Sequence, residues 1–443
     1  MKILIISPPF GEQGQESKGL SIAPPVLEYL AGLTYQINPD VEVDLIDANI
    51  EKFNVDTVDA DIVAFTVLTP QATWAYREAK VLRERGTKVV MGGIHASAMS
   101  EEVLQHADAI ITGEAENVWA EFLSDAEKGK LKRVYAGGIL ANLEGLPRPR
   151  HGILRTKYRF GSFFTGRGCP HTCSFCSVHE FYGRKLRFRP VDEIVREVAE
   201  SPYRMFWNID DNIWAKVDRA TELYKALASE VKGKTWFGSG DLVMVQQPGS
   251  EEMLKWARRA GMTTALVGWE SENPDTLEEL SATTKQGRER RDAVKRIRDH
   301  GIDVMLFLML GSRKDNKDDF KRALDICDEL NVMGHPVLTT PFPGTGLYDM
   351  YKDYMIPGAE WDSFNGNRAL YTHDDPDMTP EAREQAVDWL RAEMFTWPRI
   401  IKRIRAIPRI GFPSVHITSF WIQYPQRRAF REVKHQNPFL GTK

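Results

Sequence analysis

The stretch GRGCPHTCSFCSVHEFYG (166–183) places Cys169, Cys173 and Cys176 within eight positions, and the only other cysteine, Cys327, lies far along the chain. Three thiols crowded beside Gly and Pro are not a core pattern. Nor do four cysteines with three of them clustered make a disulfide framework, so the group is expected to hold a metal centre in a reducing compartment. Two chemistries compete for it. A structural zinc site needs four ligands, usually paired Cys groups or Cys with His, and His171, His179 or Cys327 would have to complete this one. An iron–sulfur cluster normally takes four thiolates. Three would leave one iron without a protein ligand, and that vacancy is a place for chemistry.

The elements that must position these thiols form two alternating series. With 443 residues, 42% hydrophobic and 27% charged, the chain reads as an ordinary globular protein of two or three domains. The first 125 residues alternate buried-strand runs, KILIIS (2–7), VDLIDA (43–48), DIVAFTV (61–67), KVVMGG (88–93) and ADAIITG (107–113), with amphipathic helical segments. That pattern predicts an N-terminal Rossmann-like, doubly wound parallel sheet over 1–135, with a binding surface at the carboxyl ends of its strands. A Gly-, Pro- and Arg-rich linker is expected over 136–160. Six further strand-like runs follow between 161 and 342, among them GSFFTG (161–166), YRMFWNID (203–210), KTWFGSGD (234–241) and TTALVGWES (263–271). Six βα units are too few for a closed eight-fold barrel, so a partial six-stranded β/α barrel is predicted over 161–350.

The N-terminal apolar run is too short for a signal peptide, and no run approaches the length of a membrane span. A cytoplasmic protein is expected, with no nucleic-acid partner. From Arg391 to Lys443 there are 11 Lys and Arg against 2 Asp and Glu. This sets off 351–443 as a basic helical C-terminal region, in which Pro398, Pro408 and Pro413 are expected to break the chain into short helices. It is either a dock for an anionic membrane surface or acidic substrate, or a cap on the acidic body of the chain.

The CxxxCxxC spacing directly after the first barrel strand, with Phe175 beside the third cysteine, resembles the signature of the radical S-adenosylmethionine (SAM) enzymes. The resemblance implies a [4Fe–4S] cluster on Cys169, Cys173 and Cys176 whose open iron is chelated by SAM. An electron delivered by a flavodoxin or ferredoxin-type donor would then cleave SAM to a 5′-deoxyadenosyl radical. WNIDDN (207–212) falls at the end of the second barrel strand, where Asp210 or Asp211 would face the SAM ammonium. GWESEN (268–273) resembles the fourth-strand motif, which implies SAM contacts for Gly268, Glu270 and Ser271. TTPFPGTGLYDM (339–350) resembles a last-strand motif of one subgroup. GSRKDNKDD (311–319) departs from the turn that relatives carry after the fifth strand, and implies a loop shaped for its own substrate.

The N-terminal sheet resembles the cobalamin-binding domain of cobalamin-dependent radical SAM enzymes, through SPPFG, IAPPVLEYLAG, FTVLTPQ, GGIHAS and GEAENVWAEF in the family's order. Short Gly and Thr loops let backbone approach a broad corrin ring. The resemblance implies cobalamin contacts for Pro9, Thr66, Thr69, Gln71, Gly92, Gly93, His95, Gly113 and Glu114. The loop that ligates cobalt through histidine is absent after the first strand, so His95 is expected to be a pocket residue and not an axial ligand. The implied function is radical methylation of an unactivated carbon, or phosphorus, of a small or amphipathic metabolite. Cobalamin-dependent ring formation or rearrangement without methyl transfer is the alternative within the family, and a zinc-bearing binding module the alternative outside it. Cys327, among apolar helix neighbours, is expected to be structural.

Overall fold

The computed structural model describes residues 1–11, 22–154, 158–282, 289–408, 414–430 and 438–439. Six parallel strands form the N-terminal sheet: β1 (Lys2–Ser7), β2 (Glu42–Asp47), β3 (Ile62–Thr66), β4 (Lys88–Gly92), β5 (Ala109–Gly113) and β6 (Val134–Gly138), in the order β2-β1-β3-β4-β5-β6. β1 and β3 are near-continuous buried runs because helices cover both faces of the sheet, giving one core around Leu27, Leu30, Trp119 and Phe122 and another around Trp74, Ala79 and Leu82. The strand order reverses at β1, so the loops after β1 and β3 flank the crevice where such sheets bind ligands. The sequence predicts five strands, and the sixth extends into the segment read as linker. β6 is an edge strand whose burial alternates, with only Tyr135 and Gly137 inward, so its apolar signal is weak.

The second sheet contains β7 (Gly161–Phe163), β10 (Met205–Asn208), β11 (Thr235–Gly240), β12 (Met262–Glu270), β13 (Asp303–Leu310) and β14 (Met333–Leu338), all parallel and in sequential order. This is the expected six-stranded, open β/α barrel. A short antiparallel pair, β8 (Gly166–Arg167) and β9 (Arg187–Phe188), closes the loop that carries the three cysteines. The barrel core, with Trp214 and Trp269 fully buried, lies between the sheet and its outer helices and includes Cys327.

The two sheets are joined physically as well as covalently. Ile22 pairs with Phe160 as an isolated parallel bridge, and Ala23 N donates to Phe160 O at 3.2 Å, so the residues leading into the first N-terminal helix extend the free edge at β7. The connecting segment then crosses that helix, Pro25–Ile37, at Gly32.

Helices Pro380–Met394, Trp397–Arg405 and Ser414–Phe430 form the C-terminal region. Pro398 lies in the first turn of its helix and starts it rather than breaking it, as the missing N–H at that position costs nothing. Helix Trp397–Arg405 ends before Pro408, and Pro413 lies outside the described residues. Much of the basic charge is turned inward: Arg391 donates to Pro336 O, Arg403 to Met394 O, and Arg399 pairs with Asp328 and Glu393. Among the described residues no helix is long and apolar enough to cross a membrane.

A Cβ added at Gly32 would stand 2.2 Å from Arg148 O. Gly32→Ala should therefore push the connecting segment off the helix and lower stability by about 1–3 kcal/mol, read as a shift in the chemical denaturation midpoint. An unchanged midpoint would mean that the connection contributes no packing.

Candidate active site

The carboxyl ends of both sheets face one cavity of about 1390 Å³. That exceeds the roughly 300–1,000 Å³ of a site for one small ligand. Cys169, Cys173 and Cys176, each partly exposed, line it together with Phe175. Several contacts fix their loop. Cys169 N donates to Gly183 O at 3.2 Å, Ser174 N to Leu280 O at 3.0 Å, and Leu347 N to Ser174 O at 2.8 Å. The last-strand motif thus acts by bracing the cysteine loop from behind. At Gly168 a Cβ would lie 2.4 Å from Lys185 O, with φ at +93°, so the turn into Cys169 accepts glycine alone. Burial pushes the Cys176 thiol up to about 12 and raises that of Cys169, so metal binding must displace these protons. Three thiols on one partly exposed loop, opening into a large cavity, fit a multi-iron cluster with a free corner. Cys327 is fully buried in the barrel core and does not line the cavity.

Asp210 and Asp211 both line the cavity but differ in what they do. The Asp210 carboxylate is buried and accepts from Thr165 N at 2.6 Å, from the Thr165 hydroxyl and from Gly166 N at 3.2 Å, with burial raising its pKa to about 6. It anchors the first residues of the cysteine hairpin. Asp211 is exposed into the cavity, and the surrounding protein together with Asp210 raises its pKa to about 7. Of the two, Asp211 is the one exposed to the cavity. Glu270 and Gly268 reach the cavity from β12, where a bulge interrupts the register with β13 and Glu270 adopts φ +61°. Left-handed backbone is rare for a non-glycine residue and marks places where aiming a side chain outweighs strain. Ser271 does not line the cavity: its hydroxyl accepts from Asn273 N at 3.0 Å and shapes the turn behind Glu270.

Sequence reasoning passed over Asp241, at the end of the third barrel strand. Its Oδ2 lies 2.5 Å from Nε2 of His171, so it steadies the cysteine loop from across the cavity.

From the N-terminal sheet, Thr66, Gln71, Gly93, Gly113 and Glu114 border the cavity, whereas Pro9, Thr69, Gly92 and His95 do not. Gln71 bonds the loops after β1 and β3 together, donating to Pro8 O at 2.5 Å and accepting from Leu68 N at 2.9 Å. His95, expected in the pocket, is fully buried behind it. Its ring nitrogens meet the Tyr76 hydroxyl at 2.8 Å and the Thr69 hydroxyl at 3.3 Å, it packs edge-on to Trp361, and burial lowers its pKa to about 4. A neutral histidine in that setting secures the loop. Of the described residues that this domain lends to the cavity, none is a histidine. Phe10 and Leu68, which lie in strand-end loops expected to bind but are not singled out by the sequence, border the cavity while 58% and 41% exposed. Two bare apolar side chains over a floor of backbone fit the flat face of a large ring.

Glu114, expected to contact cobalamin, has a different set of partners. Its fully buried carboxylate pairs with Arg167 of β8 at 2.5 Å and with Arg187 of β9, and accepts from Leu140 N at 2.6 Å. Glu116 takes the other nitrogen of Arg167 at 2.7 Å and accepts from the Tyr29 hydroxyl at 2.6 Å. Against burial, which would raise it, Arg167 holds the Glu116 carboxyl below its usual range. The loop after β5 therefore grips both strands that bracket the cysteines.

Comparison with known proteins agrees with this two-part site. Residues 163–327 match the model of the radical SAM superfamily, and residues 20–123 match that of the B12-binding domain. The chain belongs to the radical SAM enzymes that carry a cobalamin-binding domain. It is 27% identical over 360 residues to bacteriochlorophyllide d C-12(1)-methyltransferase of Chlorobaculum tepidum, covering 78% of this chain and 77% of that one. To the C-8(2)-methyltransferase of the same organism it is 26% identical, covering 93% and 95%. Its fold matches that of the radical SAM methyltransferase TsrM from Kitasatospora setae, solved with cobalamin and a [4Fe–4S] cluster, at a TM-score of 0.68 and 16% identity over 98% of this chain and 100% of that one. The enzyme's cofactors are thus a [4Fe–4S] cluster, SAM and cobalamin.

Iron and sulfide analysis after anaerobic reconstitution tests the loop. Cys169→Ala, Cys173→Ala and Cys176→Ala should each abolish the cluster's visible absorption, whereas Cys327→Ala should retain it. Glu114→Ala leaves the buried Arg187 guanidinium without a carboxylate and Arg167 with Glu116 alone, at a cost of about 3–5 kcal/mol, and should lower iron content with all cysteines intact. Full iron loading in Glu114→Ala would show that the grip is dispensable.

Proposed function

We propose that this chain is a methyltransferase acting on an unactivated carbon of a large, mainly apolar metabolite. The observation that carries the reading is the shared cavity: the cysteine loop, Asp211 and Glu270 border it from one side, and Phe10, Leu68, Gly93 and Gly113 from the other. When bound, the cluster with SAM supplies a radical able to take hydrogen from carbon, and cobalamin supplies the methyl group. The protein's own part is placement. Asp211 is offered to the SAM ammonium and Glu270 to its ribose or methionyl end. The carbon to be modified would sit between these groups and the N-terminal loops. The inner barrel wall beside them carries Trp207, Leu266, Phe307, Met309 and Val337, a surface that binds apolar bodies by excluding water. The relatives' action at carbon positions of bacteriochlorophyllide d supports carbon as the acceptor.

The C-terminal region supports a second contact. Trp397 and Ile401 are exposed one turn apart, with Lys402 and Arg405 exposed beside them. Such a face suits an anionic membrane surface holding an apolar substrate. Co-sedimentation with phosphatidylglycerol vesicles should fall in Trp397→Ala/Ile401→Ala, and binding that did not change would leave the helix as a cap.

The chemical reading is tested by product ratios. Methyl transfer consumes one SAM for the radical and one to renew the methyl group, so 5′-deoxyadenosine and S-adenosylhomocysteine should accumulate in near-equal amounts with dithionite and crude extract. Substrate-dependent 5′-deoxyadenosine without matching S-adenosylhomocysteine would point instead to ring formation or rearrangement.

A further inference from the structure

The cysteine loop has an outer side as well as a cavity side. The chain from Gly183 to Lys185 lies directly behind it: Gly183 O accepts from Cys169 N at 3.2 Å, and Lys185 O is the atom that a Cβ on Gly168 would strike at 2.4 Å. Within the same hairpin, Arg187 turns inward to Glu114, while Arg184 and Lys185 are exposed and have no carboxylate partner among the described residues. Most arginines nearby are neutralised, so this pair is an exception. Glu180, close in sequence, is held by His179 at 3.2 Å. Ile139, 52% exposed, abuts Gly183, its Cδ1 lying 2.9 Å from where a Cβ would project. An exposed apolar side chain next to two unpaired cations, one hydrogen bond from a cysteine, is a small docking surface with a short through-bond route inward.

We propose that Ile139, Arg184 and Lys185 form the docking site for an acidic, low-potential one-electron carrier protein, which reduces the cluster from outside the cavity. The inference rests on the iron–sulfur reading of the three cysteines. In the step, one electron leaves the carrier, which is oxidised by one unit, and enters the cluster, which is reduced by one; no proton moves. The cavity side carries the residues that the proposed function assigns to SAM, cobalamin and substrate, so delivery from the outer side leaves them undisturbed. Charges of this kind act chiefly on the rate of encounter, which gives the site a salt dependence.

The test compares two reductants on reconstituted holoenzyme. Arg184→Glu/Lys185→Glu should slow 5′-deoxyadenosine formation driven by photoreduced flavodoxin by about tenfold at low ionic strength, and leave the dithionite-driven rate unchanged. The wild-type rate with flavodoxin should fall as salt is added, and calorimetry with oxidised flavodoxin should show binding lost in the variant. Arg184→Lys/Lys185→Arg should retain both. Equal slowing with both reductants would assign the two residues to the structure of the loop, and no slowing with flavodoxin would place the dock elsewhere; either overturns the proposal. Absence of dithionite-driven turnover in the wild type would instead overturn the cluster reading beneath it.

Discussion

Glu114, at the tip of β5 in the N-terminal sheet, joins two arginines from the two strands that bracket the cysteines, and the site depends on that buried contact. A carboxylate withdrawn from water is stable only when its partners are well placed, and removing one side of such a group costs several times more than breaking a surface pair. The consequence is geometric. Arg167 and Arg187 belong to β8 and β9, so fixing both sets the hairpin's orientation and with it the loop between them. Glu116, itself held by the Tyr29 hydroxyl, takes a second nitrogen of Arg167, which leaves the group little freedom to rotate. The cobalamin-binding domain thereby positions the three cysteines of the barrel.

Three further braces act on the same loop from the barrel side. Asp210 ties down its entry at Thr165 and Gly166, His171 meets Asp241, and Ser174 is held between Leu280 and Leu347. The first two come from the carboxyl ends of different strands, Asp210 after β10 and Asp241 after β11, which is why a parallel open barrel suits the task. Groups that look like ligand contacts in a linear motif are thus divided in the fold. Asp210 and Ser271 orient backbone, whereas Asp211 and Glu270 face the cavity.

The thiol spacing, the strand-end position of the acidic pairs and the parallel sheets are legible in sequence because each follows from local order: period, spacing and run length. What escaped has a common physical origin in long-range pairing. Glu114 and His95 sit in the loops expected to touch cobalamin, yet their partners lie far away in the chain, at Arg187 and Trp361, and nothing local signals them. Phe10 and Leu68 read as ordinary apolar residues, and only the fold leaves them bare. β6 escaped because an edge strand with two inward residues carries too little hydrophobic pattern to stand out from a glycine-rich connection.

The central claim is that one cavity brings the cluster and the corrin into mutual reach, with the cysteine loop locked to the cobalamin-binding domain. Pulsed electron paramagnetic resonance on enzyme carrying both the reduced cluster and cob(II)alamin measures this directly, because two unpaired spins in one cavity couple through space. The account predicts a resolved dipolar splitting that disappears when cobalamin is left out. A spectrum equal to the sum of the two centres taken separately would contradict it.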